Sequence, residues 1–309
     1  MRIAVIDLGT NTFNLFVAEI ISSSEHKKIF KTKVPVKLGE GGMAKSKIAT
    51  AAFARGMDAL RKYKKLMDDF NVEQIFAFAT SAIRSASNGK KFVDTAKKEM
   101  GITINVISGE READFIYKGV SHALEIGQDA SLILDIGGGS NEFIIATSET
   151  VLWRQSFDLG VSRMLEKFKP SDPISEAEIK KMEKYFESEL ATLFEAVQNN
   201  PVKELIGSSG SFDTFADMIA HKFHSPEILK GKTEYEFNVS EFSEIHNQLL
   251  KSTKAERMQT KGLVEMRVDM IVIGSVFVNF ILTKLQLNKM RLSTYSLKEG
   301  VLHELMSKL

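Results

Sequence analysis

Two stretches carry residue types that handle phosphate: "IAVIDLGTNTFNLFVAEI" from Ile3 and "LILDIGGGSNEFII" from Leu132. Laid with Asp7 on Asp135 they align without a gap, so that Gly9 falls on Gly137, Thr12 on Ser140 and Asn14 on Glu142. A glycine turn between two strands offers backbone N–H groups unobstructed by Cβ atoms, and such a concave array wraps an anion. Gly9, Thr10, Asn11 and Thr12 would line phosphate in the first turn, and Gly137, Gly138, Gly139, Ser140 and Asn141 in the second. Asp7, Asp135 and Glu142 would repel phosphate unless a cation sits between them, and Mg²⁺ (or Mn²⁺) binds one or two carboxylates together with phosphate oxygens. A tight turn needing glycine only for its backbone accounts for one such hairpin, not for a matched pair.

The turns must be held by paired strands. Residues 3 to 20 read as a hairpin, followed by a helix within Ile48 to Phe70, the strand "QIFAFAT", a helix from Lys90 to Met100 ending at Gly101, the strand "ITINVIS" and then "GEREADFIYKGV". After the second glycine hairpin come the strand "VLWRQSF", a loop and helix beginning "DLGVSRM", a helix with Ser175 and Glu178 in a capping box, and the strand "ELIGSS". Helices are expected to dominate the final hundred residues, including an apolar one near Met266 to Leu285. The 128-residue offset between the echoes points to a duplicated α/β domain, with a boundary near Gly127 dividing lobes 1–127 and 128–309 and a cleft between them.

Composition narrows the class. A chain of 309 residues is long for one core, and 43% apolar with 26% charged residues is ordinary for a soluble globular protein. A formal charge of +1 argues against bulk nucleic-acid binding. The segment from His26 to Lys47 holds seven lysines, read here as solvated faces of an edge strand and loop. There is no cysteine, so thiolate chemistry and disulfides are excluded. The first strand begins by the third residue, leaving no room for a secretion signal, and the longest apolar run, Met270 to Leu282, is too short for a bilayer. A soluble, cytoplasmic protein is expected.

The glycine pair is similar to the phosphate-binding motifs of the actin-like ATPase superfamily. Within it, the chain resembles the exopolyphosphatase and guanosine pentaphosphate phosphohydrolase family. The resemblance rests on "DLGTNTFNLFVAEI", "KLGEGG", "FATSAIRSASNG", "SGEREADFIYKGV", "LDIGGGSNEFII", "DLGVSRM", "IGSSGSFDTFADMI" and "STYSLKEGVL", which run in the family's order over nearly the whole chain. It implies two ribonuclease-H-like lobes, a Mg²⁺-dependent hydrolase acting on polyphosphate or guanosine pentaphosphate, and a homodimer. It also implies that Glu112 orients the attacking water and Arg84 holds phosphoryl oxygens, with Glu110 the alternative base in a shifted register. Asn88 matches a family asparagine as a loop-fixing amide, while Arg163 either meets the substrate further along or braces its loop.

Several residues depart from the family pattern. Arg111 and Asp114 swap the charges on either side of the base, Asn141 replaces a threonine, and Ser209-Gly210-Ser211 stands where Gly-Gly-Thr is usual. Removal of the terminal phosphate of polyphosphate is the leading expectation, followed by 5′-phosphate release from guanosine pentaphosphate. An ATP-dependent kinase of the same superfamily and a sensor that binds phosphate without turnover are the rivals from other classes.

Overall fold

The computed structural model describes residues 1–308. The hairpin strands β1 (Arg2–Leu8) and β2 (Thr12–Ile20) pair antiparallel, β3 (His26–Pro35) extends them, and α1 (Thr50–Asp69) follows. The chain continues through β4 (Gln74–Ala79), the five-residue α2 (Ser81–Ser85), α3 (Gly89–Met100), β5 (Ile104–Val106) and α4 (Gly109–Ala123). The sheet order is β3-β2-β1-β4-β5, with β4 parallel to β1 and β5 parallel to β4. Gly101 takes a left-handed φ of 68° and closes α3, as its position after Met100 predicts.

A second sheet repeats this order. β6 (Ser131–Ile136), β7 (Asn141–Ala146) and β8 (Val151–Phe157) form the antiparallel part. After α5 (Val161–Phe168), α6 (Glu176–Glu189) and α7 (Ala191–Asn199) comes β9 (Leu205–Ser208), parallel to β6. α8 (Ser209–Phe223), β10 (Glu234–Phe237), α9 (Val239–Lys251), α10 (Lys254–Met258), α11 (Ile271–Lys284), β11 (Met290–Ser293) and α12 (Leu297–Met306) complete the chain. The order β10-β11-β9-β6-β7-β8 matches the first sheet strand for strand, with β11 in the place of β5 and β10 added at the edge. The aligned residues also share register: Asp7 lies opposite Asn14, and Asp135 opposite Glu142.

Contacts divide the chain into two compact units. Unit 1 comprises Met1–Gly119, Gly137–Gly139 and the chain from Leu297 onward; unit 2 comprises Val120–Ile136 and Ser140–Ser296. Sequence alone places one boundary near Gly127, whereas this division is discontinuous. The reason lies in α12, which packs on β1 and α4: Glu304 Oε2 accepts from Lys118 at 2.7 Å and its other oxygen from Arg111 at 2.5 Å. The carbonyl of Phe115 approaches Gly300 so closely that an added Cβ would lie 1.8 Å from it.

The core of unit 1 joins Phe13, Leu15 and Val17 of β2 to Leu60, Tyr63 and Met67 of α1 and Phe92 of α3. In unit 2, α11 is buried along most of its length and packs Phe277 against Phe143 and Phe186. The expected helix 266–285 therefore begins later, at Ile271, after a single 3-10 turn. β10 and β11 were not expected among the final hundred residues. Each has only four residues, too few to show a period, and each is defined by the strand beside it.

Candidate active site

In unit 1 the turn after β1 is fixed from outside its own hairpin. Val36 and Lys37 both donate their N–H groups to the Asn11 carbonyl at 2.8 Å, and Leu38 donates to the Thr10 carbonyl at 2.7 Å. The segment "VKLGEGG" thus buttresses the first glycine turn, and Arg55 braces that segment in turn through the Val36 and Lys37 carbonyls. Asp7 accepts from Asn14 Nδ2 at 3.0 Å. Gly138 and Gly139 lie against the same turn. A Cβ on Gly138 would sit 2.6 Å from Asn11 Nδ2, and one on Gly139 would sit 2.6 Å from Thr10 Oγ1. The aligned glycine stretches therefore meet within unit 1, and no larger residue could hold either position without displacing its neighbours.

α2 and α4 contribute the charged pair. Arg84, at the end of α2, donates from Nη1 to the Ile107 carbonyl and to Glu112 Oε2, both at 3.0 Å. Glu112 is buried at 8% exposure, one residue before the fully buried Ala113, whereas Glu110 on the same first turn is exposed. Asn88 donates to the Ile48 carbonyl at 2.9 Å and accepts from the Ile48 N–H at 2.8 Å, clamping the start of α1. Arg111 stacks over Phe115 at 4.1 Å and bonds Glu304.

Unit 2 holds the other carboxylates. Asp135 Oδ2 accepts from three hydroxyls: Ser208 at 2.7 Å, Ser209 at 2.6 Å and Ser296 at 2.6 Å. Glu142 Oε1 accepts from Ser140 at 2.7 Å and Ser156 at 2.6 Å. Asn141 is fully buried and donates to the Leu159 carbonyl at 3.0 Å. Arg163 pairs with Asp158 at 3.0 Å, which braces the loop before α5.

The residues missed from sequence are those around Asp135. Ser209 takes a left-handed φ of 68°, a conformation that suits glycine better than serine. The glycine that the resemblance leads one to expect at this point would suit that backbone; here serine adopts it and turns its hydroxyl onto Asp135. Arg267 crosses Gly210 so closely that a Cβ there would lie 1.3 Å from its Nη2. Burial pushes the Arg267 guanidinium down from its ordinary pKa, while the charges of Asp213 and Asp135 pull the other way. Arg267 lies 57 residues after Gly210, and no local sequence signal joins the two.

Among the described residues no three His, Asp or Glu side chains gather as a metal-holding group. The donor set suits a cation that takes few protein ligands. All three hydroxyls on Asp135 use Oδ2, and Asp135 and Glu142 are cross-strand neighbours on one face. These two carboxylates could hold a cation such as Mg²⁺, which ordinarily takes one or two carboxylates and completes its shell with water and phosphate oxygens.

The repeated strand order, the glycine turns and the part-buried arginine–glutamate pair define an α/β protein of two sheets that share one strand order. Within that class the chain belongs to the Ppx/GppA phosphatase family, which matches residues 17–309. Its enzymes are hydrolases. Over its whole length the chain is 38% identical to an exopolyphosphatase from Cytophaga hutchinsonii, covering 99% of that crystal structure with a TM-score of 0.95. It is 26% identical to the Aquifex aeolicus PPX-GPPA enzyme, covering 98% of this chain and 99% of that one, with a TM-score of 0.80. A guanosine-5′-triphosphate,3′-diphosphate pyrophosphatase of Aeromonas hydrophila is 26% identical over 98% of this chain, which spans only 59% of that protein.

Proposed function

We propose that this protein is an exopolyphosphatase that removes the terminal phosphate of inorganic polyphosphate with Mg²⁺ (or Mn²⁺) and a water oriented by Glu112. The observation that carries the reading is the pair formed by half-buried Arg84 and buried Glu112, at 3.0 Å, in the same compact unit as both glycine stretches. Backbone N–H groups of Gly9–Thr12 and Gly137–Gly139 would hold the phosphate oxygens still. Glu112 would accept a proton from water aimed in line at phosphorus, and Arg84, already held beside it, would turn its remaining donors toward the phosphoryl oxygens. Asp7, Asp135 and Glu142 are the proposed cation ligands, and the cation would neutralise charge between phosphate and carboxylate.

Support for polyphosphate comes from the Cytophaga hutchinsonii exopolyphosphatase, which matches the chain end to end. Guanosine pentaphosphate is the second reading, favoured by the named activity of the longer Aeromonas hydrophila relative. The two are separated by giving the purified protein, with Mg²⁺, short polyphosphate, long polyphosphate, guanosine pentaphosphate and ATP. Phosphate release is expected to be fastest from polyphosphate. Release from guanosine pentaphosphate alone would reverse the assignment, transfer from ATP to an acceptor would make the protein a kinase, and binding without release would make it a sensor. A cytoplasmic homodimer completes the proposal. No described helix is long and apolar enough to cross a membrane, and sedimentation equilibrium reads the oligomeric state directly.

A further inference from the structure

One hydroxyl in unit 1 is out of keeping with its surroundings. Ser81 is 2% exposed, yet its Oγ has no hydrogen-bond partner. Buried hydroxyls are ordinarily paired, because an unmade hydrogen bond leaves the desolvation of the group uncompensated. The carbonyl of Ser81 is used, accepting from Ser85 Oγ at 2.8 Å, so the backbone is held while the side-chain oxygen is left over.

The position of that oxygen gives it a use. A Cβ on Gly139 would lie 2.6 Å from Ser81 Oγ and 2.6 Å from Thr10 Oγ1. Both hydroxyls therefore pack against the Gly139 backbone, closely enough that no side chain fits at that position. Ser81 also opens the short helix whose last turn carries Arg84, the residue bonded to Glu112. The Ser81 hydroxyl therefore lies beside both glycine stretches and on the element carrying the arginine, all within unit 1.

We propose that Ser81 donates its hydroxyl hydrogen to an oxygen of the bound terminal phosphoryl group, beside Thr10 and the Gly139 backbone. The proposal rests on the phosphate-hydrolysing function proposed above and adds a binding residue to that site. A serine hydroxyl is a single rotatable donor, so it can remain unpaired in the free protein and turn onto an anion without moving the backbone. A hydrogen bond to a charged oxygen outweighs a neutral one, which offsets the burden of an unsatisfied group in the free state.

The test measures orthophosphate binding by calorimetry, the thermal midpoint and kcat/KM on tripolyphosphate, using the full chain with Mg²⁺. Ser81→Ala is expected to raise the thermal midpoint of the free protein while lowering phosphate affinity and kcat/KM about 10- to 100-fold. Ser81→Cys keeps the side-chain shape with a somewhat larger sulfur that donates weakly, so it should lose affinity in the same way, its fold checked by the thermal midpoint. Unchanged affinity in both variants overturns the proposal and leaves the hydrolase function standing, since the hydroxyl would then serve a water molecule. A lowered midpoint with wild-type affinity also overturns it, by making Ser81 purely structural. Ser81-dependent phosphate binding in a wild-type protein that hydrolyses none of the substrates would keep the proposal and remove the function. No phosphate binding to the wild-type protein overturns both.

Discussion

Two glutamates two residues apart, Glu110 and Glu112, differ in what surrounds them and in nothing that composition reveals. Glu112 faces inward onto Arg84 because it shares the inner side of α4 with Ala113, Phe115 and Ile116, all buried, while Glu110 points to solvent. Glu112→Gln is expected to retain phosphate binding and to lose at least ~10² in kcat, read by single-turnover phosphate release. Wild-type turnover in that variant would place the base elsewhere. A different residue should govern acid behaviour. His246 is buried, its Nδ1 3.2 Å from Ser275 Oγ, and burial holds its pKa down at about 4. The neutral form is the folded one, so stability is full above the ordinary histidine range and falls as pH drops from about 6.5 toward about 4. His246→Leu should flatten this limb in urea midpoints measured across that range. Ser275 would not be stranded, since its hydroxyl also donates to the Val272 carbonyl at 2.8 Å.

At the scale of elements, α4 and α12 form one working assembly. Burial disfavours the ionised Glu304 carboxylate, but hydrogen bonds from Lys118, Lys308 and Arg111 outweigh it and hold the pKa at about 2. The stabilisation is present above the ordinary glutamate pKa and fades as pH falls through the folded value. Arg111, where the family carries a glutamate, therefore ties the helix bearing Glu112 to the end of the chain. Gly300→Ala would drive a methyl group into the Phe115 carbonyl, and a loss of about 1–3 kcal/mol is expected from urea unfolding. An unchanged midpoint would show that α12 can move off α4 without cost. No local sequence signal brings the two helices together: Arg111 and Glu304 are separated by 193 positions.

For the whole molecule, the discontinuous division has a consequence for truncation. Leu297, Val301, Leu302 and Met306 are buried, α12 packs on β1, and Glu299 bonds Lys31 of β3 at 3.2 Å. A chain ending at Ser296 is expected to lose the protection of β1 to β3 in hydrogen exchange while β6, β7 and β9, in the other unit, keep theirs. Equal loss in both sheets would mean that the units unfold as one.

Local structure was readable from the sequence alone. The glycine turns, the hairpins on either side of them, Gly101 at the end of α3 and the Ser175–Glu178 capping box depend on neighbours a few residues apart, and the 128-residue echo announced the duplication. Tertiary structure decided the rest. It placed Gly139 beside Thr10 and Ser81, gathered three serines on Asp135, laid Arg267 over Gly210, made strands of the four-residue β10 and β11, and returned α12 to the first unit. Each of these depends on groups brought together across tens to hundreds of residues. Burial and close approach select them, and neither leaves a periodic mark along the chain.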